Sequence, residues 1–275
     1  MSLEVLTLNL WNDKPPYAER SERIREWIDR LSPDLIGFNE AIRTEAWNQV
    51  AQLLEGTGYS LEYVPAEGQG GDREFGNAIA SRWPIVERAS LRLPDGGDGE
   101  TRSALSVITA APFGRVSFTS THLNWRFEHG AIRERQVVAL CDFVRRCAAG
   151  ADLPAILAGD FNAEPDSAEI RYVKGLHALD GRSVAFLDAW AAAGGPGAGH
   201  TWCNRNAYAR RAVEPDRRID YVFVDLPDRR KRGIGRIDRC QVVCDDEKNG
   251  VWPSDHFGVL AEIRTEEQAG WGTPD

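Results

Sequence analysis

Ala155-Ile156-Leu157-Ala158-Gly159-Asp160-Phe161-Asn162-Ala163-Glu164-Pro165-Asp166 opens with an apolar run of strand length that reaches Gly159. It then releases Asp160 and Asn162, two residues apart, before a proline turn. Strand alternation sends Asp160 and Asn162 to one face and Phe161 to the other. A carboxylate beside a carboxamide at a strand end can hold a hard cation, a phosphoryl oxygen or a water. The same pair is also good turn chemistry, so the rest of the chain has to decide between the two.

Working outward, the same situation recurs. Leu3 to Leu10 reads as a strand with Asn9 near its end, and Leu35-Ile36-Gly37-Phe38-Asn39 as another that delivers Glu40. Between them, residues 18–31 place Ile24, Trp27, Ile28 and Leu31 on one helical stripe that Pro33 ends. A helix is expected from Thr44 to Leu54 and a glycine-rich mobile loop over 66–76, before a strand at Asn77 to Ser81. Ala104 to Ala110 and Val116 to Thr121, joined at Phe113-Gly114, predict an antiparallel pair, and the second empties into His122-Leu123-Asn124-Trp125. A long helix follows from Ala131 to Arg146, and a short one from Ser167 to Val173.

Leu187 to Trp190 reads as a buried segment, and Arg218 to Val224 as a strand that carries Asp220 in its apolar run. Asp225 to Arg236 is expected to be a solvated loop and Ile237 to Cys244 a strand. Trp252-Pro253-Ser254-Asp255-His256 forms the last polar tip before Val259 to Ile263 closes the fold. Strands tipped by polar residues, alternating with helices and broken by hairpins, predict an α/β protein with a sheet that is not purely parallel. One domain is expected over 1–265, with a frayed tail over 266–275.

The 275 residues carry 42 acidic and 33 basic side chains, a formal charge of −9. That field does not favour a long nucleic-acid backbone, although a local basic groove stays open. Five cysteines, an odd number without metal-like spacing, suit a reducing compartment and structural roles. The N-terminus enters a strand without a leader pattern and no apolar run spans a membrane, so a cytoplasmic protein and no integral membrane association are expected.

The chemical inventory is Asn9, Glu40, His122, Asp160, Asn162, Asp220, Asp255 and His256, each on or beside a strand. Asp220 on an apolar strand needs a partner, because an unpaired buried carboxylate costs several kcal/mol. A histidine suits it: the carboxylate fixes one ring nitrogen and leaves the other for proton transfer.

Six segments, Thr7-Leu8-Asn9, Phe38-Asn39-Glu40, Ser120-Thr121-His122-Leu123, Gly159-Asp160-Phe161-Asn162, Arg218-Ile219-Asp220-Tyr221 and Ser254-Asp255-His256, follow in one order across nearly the whole chain. In this they resemble the endonuclease/exonuclease/phosphatase superfamily (deoxyribonuclease I-like), nearest to its tyrosyl-DNA phosphodiesterase and sphingomyelinase-like branches. The resemblance implies a four-layer αββα sandwich, two mixed β-sheets face to face with outer helices. It implies Mg2+, with Mn2+ able to substitute, held chiefly by Glu40 with Asn9 and Asp255 near it. Asp160 would orient or deprotonate the attacking water, Asn162 hold a phosphoryl oxygen, His256 work with Asp220, and His122 contact the phosphate.

Arg102 is a weaker candidate for a phosphate clamp, its alternative a surface arginine, and Trp125 and Trp202 are candidate rim residues against substrate. Where some abasic-site members carry an acidic residue, this chain has Trp11, which disfavours that branch. Arg205, Arg210, Arg211, Arg217 and Arg218 form either a phosphate-attracting lip or a solvated face. The resulting expectation is a Mg2+-dependent phosphoric ester hydrolase: a monomeric phosphodiesterase for small, lipid or end-blocked substrates, acting by in-line attack of water. A DNA or RNA nuclease and a phosphomonoesterase for inositol or nucleotide phosphates are the alternatives. A noncatalytic binding protein is the least favoured, because every expected polar position is filled.

Overall fold

The computed structural model describes residues 2–68, 71–97, 99–227 and 233–267. One six-stranded sheet contains β1 (Ser2–Asn9), β2 (Leu35–Arg43), β3 (Ser60–Gly68), β4 (Glu74–Ser81), β11 (Ile237–Val243) and β12 (Gly258–Arg264), in the order β11-β12-β1-β2-β4-β3. The other contains β5 (Ile85–Arg92), β6 (Ser103–Ala111), β7 (Gly114–His122), β8 (Ile156–Asp160), β9 (Phe186–Asp188) and β10 (Asp220–Asp225), in the order β5-β6-β7-β8-β10-β9. Among the described strands, β1/β2 and β7/β8 are the pairs that run parallel. Each of those pairs is bridged by a long helix, α1 (Tyr17–Leu31) and α3 (Gly130–Cys147), as a parallel connection requires.

Alternation along the strands builds the layers. Val5, Leu105, Phe118, Ile156, Val222 and Ile263 meet between the two sheets. Leu6, Leu8 and Phe38 point outward to Ile24, Trp27 and Ile28 of α1 and to Val50 and Leu53 of α2 (Gln49–Leu53). Leu157, Phe161 and Phe223 point the other way, to Val137, Leu140 and Phe143 of α3 and to Ile170 and Val173 of α4 (Ala168–Val173). The fold is therefore the αββα sandwich of two mixed sheets with outer helices. The sheets come close at Gly37, where a Cβ would lie 3.0 Å from Ser120 Oγ and 3.2 Å from the Phe118 ring.

Three local expectations are corrected. The helix expected over 44–54 shrinks to α2, because Thr44 and Trp47 close a turn and Asn48 caps the helix by accepting from the Val50 and Ala51 amides. The loop expected over 66–76 is largely strand, since β3 and β4 pair from Ser60 opposite Ser81 to Gly68 opposite Glu74; residues 69–70 lie outside the described residues. Leu187 to Trp190 divides into β9 and α5 (Ala189–Ala193), because Asp188 accepts from the Trp190 and Ala191 amides and starts a helix. From 268 onward, the expected tail lies outside the described residues, as does 228–232 of the expected loop. No helix of the described residues is long and apolar enough to cross a membrane. All five cysteines are unpaired, with Cys141, Cys240 and Cys244 buried.

Candidate active site

Five strands end their inward-facing rows on polar residues: Leu3-Val5-Thr7-Asn9 in β1, Leu35-Gly37-Asn39 in β2, Phe118-Ser120-His122 in β7, Ile156-Ala158-Asp160 in β8, and Val224-Val222-Asp220 read backwards in β10. Register gathers them at one end of the sandwich. Asn9 pairs with Asn39, His122 with Asp160, and Asp160 with Asp220. Gly159 has φ +143°, and a Cβ there would lie 1.9 Å from the Thr121 carbonyl oxygen, so the residue before Asp160 must be glycine.

Asp160 sits at the centre, 1% exposed. Its Oδ2 accepts from Asn9 Nδ2 at 3.0 Å and lies 3.5 Å from His122 Nε2 and 3.8 Å from His256 Nε2. Its Oδ1 accepts from the Asn162 amide at 2.9 Å. Burial and the neighbouring Asp220 push its carboxyl up to about 6, against the opposing pull of His256. His256 donates from Nδ1 to Asp220 Oδ2 at 2.9 Å, the pairing expected for a carboxylate on an apolar strand. Burial opposes a charge on this ring, but Asp220, Asp160 and Asp255 together hold it well above the usual histidine range. His122 is driven the other way, by burial and then by Arg102 and His256.

Arg102 Nη1 donates to His122 Nδ1 at 3.1 Å, which leaves the ring proton on Nε2, facing the cleft. The guanidinium is fixed in turn by Glu100 Oε1, at 2.9 and 2.7 Å. The expected phosphate clamp is therefore buried and ion-paired, and it orients His122. Asn162, at φ +49°, donates from Nδ2 to the Leu123 carbonyl at 3.1 Å, and the same nitrogen lies 3.0 Å from His122 Nε2, so two N–H donors stand side by side.

Glu40 owes its direction to a bulge. The β2/β4 register steps from Phe38 opposite Ala78 to Ala41 opposite Gly76, and Glu40 takes φ +56°. Asn9 Nδ2 donates to its Oε1 at 3.1 Å and Asn12 Nδ2 to its Oε2. Burial raises Glu40, and burial with repulsion from Glu40 brings Asp255 up to about 7 despite the nearby His256. Two carboxylates that disfavour one another, one of them met by two carboxamides, are a donor set for a hard divalent cation. Asp160, Asp220 and His256 also offer ligand atoms within 4.8 Å of one another, close enough to share one ion. Asp220 Oδ2 and His256 Nδ1 are bonded to each other, but Asp220 Oδ1 is buried without a hydrogen-bond partner among the described residues, so this trio and the oxygen set around Glu40 are two candidate metal sites.

Three supporting residues escaped the sequence reading. Asn39 donates to Asn77 Oδ1 and to the Thr121 carbonyl, both at 2.8 Å, and accepts from the Asp160 amide at 3.1 Å, tying the two sheets together beneath the site. Arg20, 1% exposed, donates to the carbonyls of Leu10, Trp11, Asn12, Lys14 and Pro253. Glu100 holds Arg102. An asparagine in an apolar strand was a readable signal for Asn39; nothing local distinguishes Arg20 among the charged residues of its helix.

The site opens into a cleft of about 640 Å³, with Trp11, Phe75, Trp125 and Trp202 among its walls. Trp202 stands edge-on to His256, ring centres 4.9 Å apart, whereas Trp125 is 52% exposed at the rim. Most of the supposed arginine lip is neutralised. Arg205 pairs with Asp245, Arg217 with Glu214, and Arg218 bidentately with Asp188 at 2.9 and 2.8 Å.

Comparison with known proteins gives a family model, described as the Endonuclease/Exonuclease/phosphatase family, that matches residues 6–256. Carbon catabolite repressor protein 4 homolog 3 of Arabidopsis thaliana is 25% identical over 166 residues, which cover 57% of this chain and 36% of that protein, so the chain spans about a third of that relative's length. Among solved structures, an endonuclease/exonuclease/phosphatase from Beutenbergia cavernae superposes with a TM-score of 0.74 at 25% identity, over 96% of this chain and 72% of the other. TDP2 from C. elegans superposes with a TM-score of 0.71 at 18% identity, over 96% and 75%.

Proposed function

The chain belongs to the endonuclease/exonuclease/phosphatase family of phosphoric ester hydrolases, and from that premise we propose that it is a Mg2+-dependent phosphodiesterase for small, lipid or end-blocked substrates. The observation that carries this reading is the Asp160 carboxylate flanked by two imidazoles of opposite protonation, neutral His122 at 3.5 Å and cationic His256 at 3.8 Å.

A carboxyl raised to about 6 is ionised at neutral pH yet more basic than an ordinary aspartate, which suits it to accept a proton from water. Asn9 Nδ2 and the Asn162 amide fix its two oxygens, so water held against it has a defined direction. The Nε2–H of His122 and the carboxamide of Asn162 face the same space and can bind a phosphoryl oxygen. His256, kept charged by Asp220, stabilises the growing negative charge or protonates the departing oxygen. Glu40 and Asp255, with the carboxamides beside Glu40, would hold Mg2+, which supplies polarisation of the phosphoryl group when bound. Among the described residues no serine or cysteine side chain is hydrogen-bonded to the side chain of His122, Asp160 or His256, which supports direct attack by water.

The substrate class follows from the walls of the cleft. Arg102 and Arg217 are each paired with a carboxylate and the chain carries a net −9. Tryptophans line the mouth instead, which favours an apolar or ring-bearing group next to the phosphate over a long polyanion.

Hydrolysis should be measured in Mg2+, Mn2+ and EDTA, for the native chain and Asp160→Ala. The panel is bis-p-nitrophenyl phosphate, p-nitrophenyl phosphate, sphingomyelin, an inositol polyphosphate, a 5′-tyrosyl oligonucleotide and plasmid DNA. The expected result is metal-dependent turnover of a diester of the first kind, abolished in Asp160→Ala. Preferred cleavage of plasmid DNA or of the monoesters would replace this substrate reading, and turnover that survives in EDTA would end the metal-dependent one.

A further inference from the structure

The loop that follows β1 carries two consecutive residues in left-handed backbone, Trp11 at φ +54° and Asn12 at φ +51°. Such strain persists only where the surroundings hold it, and here Arg20 does so by donating to the carbonyls of both residues at 3.3 and 3.0 Å. A second strut comes from Gln49, which donates to the Asn12 carbonyl at 2.8 Å. The result is a side chain that lines the cleft and reaches across 28 residues of sequence to the Glu40 carboxylate.

Glu40 is thus met by two carboxamides, and they differ in how they are held. Asn9 Oδ1 accepts from the Trp11 amide at 2.9 Å, while its Nδ2 is shared between Glu40 and Asp160 at 3.1 and 3.0 Å. Its orientation is fixed from both ends. Asn12 Nδ2 donates to Glu40, but its Oδ1 is buried and accepts no hydrogen bond among the described residues. A buried carbonyl oxygen without a partner is uncommon and calls for an explanation.

We infer that Asn12 is a ligand of the divalent cation that Glu40 holds, a deepening that rests on the metal-dependent reading above. Rotation of the carboxamide by half a turn exchanges its nitrogen and oxygen, the two ends being nearly equal in shape. Facing Glu40 with its N–H2, the group caps a bare carboxylate. Facing it with Oδ1, it places a second oxygen beside the carboxylate, an arrangement that is repulsive alone and attractive around a cation. Asn9 cannot make this exchange without losing the Trp11 amide and Asp160, so the role falls to Asn12.

The test is the affinity of the full chain for Mn2+, read from the free-ion signal in electron paramagnetic resonance, together with the rise in Tm on adding Mg2+. The variants are Asn12→Gly, which removes the side chain without penalising the left-handed backbone, and Asn12→Asp, which keeps an oxygen but cannot donate. Asn12→Gly should weaken Mn2+ binding by roughly 10-fold or more. Asn12→Asp should bind at least as tightly as the native chain and show a larger Tm rise with Mg2+. If Asn12→Asp binds Mn2+ more weakly than the native chain, an oxygen at this position does not reach the ion, and the inference falls. It falls equally if both variants bind as native does. Should Asn12→Gly fail to fold by circular dichroism, the Asn12→Asp comparison alone decides. A native chain that binds neither ion overturns the metal-dependent reading itself, and this one with it.

Discussion

Asp160 and Asp220 stand directly opposite each other on the antiparallel strands β8 and β10, two carboxylates on one buried face, each at most 1% exposed. Such a pair is unfavourable unless a cation shares it, and His256 is that cation, with Nδ1 at 2.9 Å from Asp220 and Nε2 at 3.8 Å from Asp160. The two aspartates are therefore not equivalent. Asp220 gives Oδ2 to the imidazole and stays behind it, while Asp160 lines the cleft.

The first prediction follows from that asymmetry. Asp220→Asn removes the charge that holds His256 protonated, so kcat should fall roughly 100- to 10,000-fold, and the alkaline limb of the pH profile should move to lower pH. Divalent binding should be unchanged if the ion sits at Glu40. An Mn2+ titration that shows Asp220→Asn losing affinity would instead place the ion among Asp160, Asp220 and His256.

Stability should depend on pH in a direction the site dictates. Asp160 and Asp255 are raised to about 6 and about 7, and His256 well above its ordinary value. A group whose pKa is raised on folding stabilises the fold at low pH and loses that contribution as pH climbs through the folded value. Neutral His122 works the other way, but only below the ordinary histidine pKa. Between about pH 6.5 and about pH 8 the metal-free chain should therefore lose roughly 1–2 kcal/mol, about one titrating proton. Excess Mg2+ should restore most of it. Thermal unfolding in EDTA that is flat or rising over this window would contradict the assignment.

How much of this was legible in the sequence depended on whether a residue's job was local. The gathering of Asp160, Asn162, Glu40, His122, Asp220 and His256 could be anticipated because each stands on or beside an apolar strand, and strand alternation alone brings five inward rows to one end of the sandwich. The direction of Glu40 could not be read, because it comes from a β-bulge whose two-against-one count needs the partner strand β4. The pairing of Arg102 with His122 could not be read either, since it depends on the β6/β7 register, which sets Ala104 opposite Thr121 and so brings Arg102 beside His122. The helix expected from Thr44 went wrong for a local reason, a turn closed by Trp47 and a cap at Asn48 that delay helix entry.

Asn39 lies between these cases and gives a stability prediction. Its carboxamide satisfies the Thr121 carbonyl, Asn77 Oδ1 and the Asp160 amide at once, all buried between the sheets. Asn39→Ala strands those groups where water does not reach, which should cost about 2–4 kcal/mol in urea unfolding. A loss well under about 1 kcal/mol would mean that the neighbours re-pair without it.

Arg20 yields the last prediction, and it separates folding from function. A fully buried guanidinium that donates to five backbone carbonyls contributes hydrogen bonds at one end of the site and a template at the other: four of its acceptors lie in the Leu10 to Lys14 loop that presents Trp11 and Asn12. The fifth is Pro253, two residues before Asp255. Arg20→Met leaves several buried carbonyls without a donor and should cost roughly 3–5 kcal/mol. Arg20→Lys keeps the charge but offers only three donors in a compact head, too few to span both segments. It should remain folded while Mn2+ affinity falls on the order of 10-fold, because the loop and the Asp255 tip lose their common anchor. Arg20→Lys with native affinity and lowered stability would show that the guanidinium holds the fold without shaping the site.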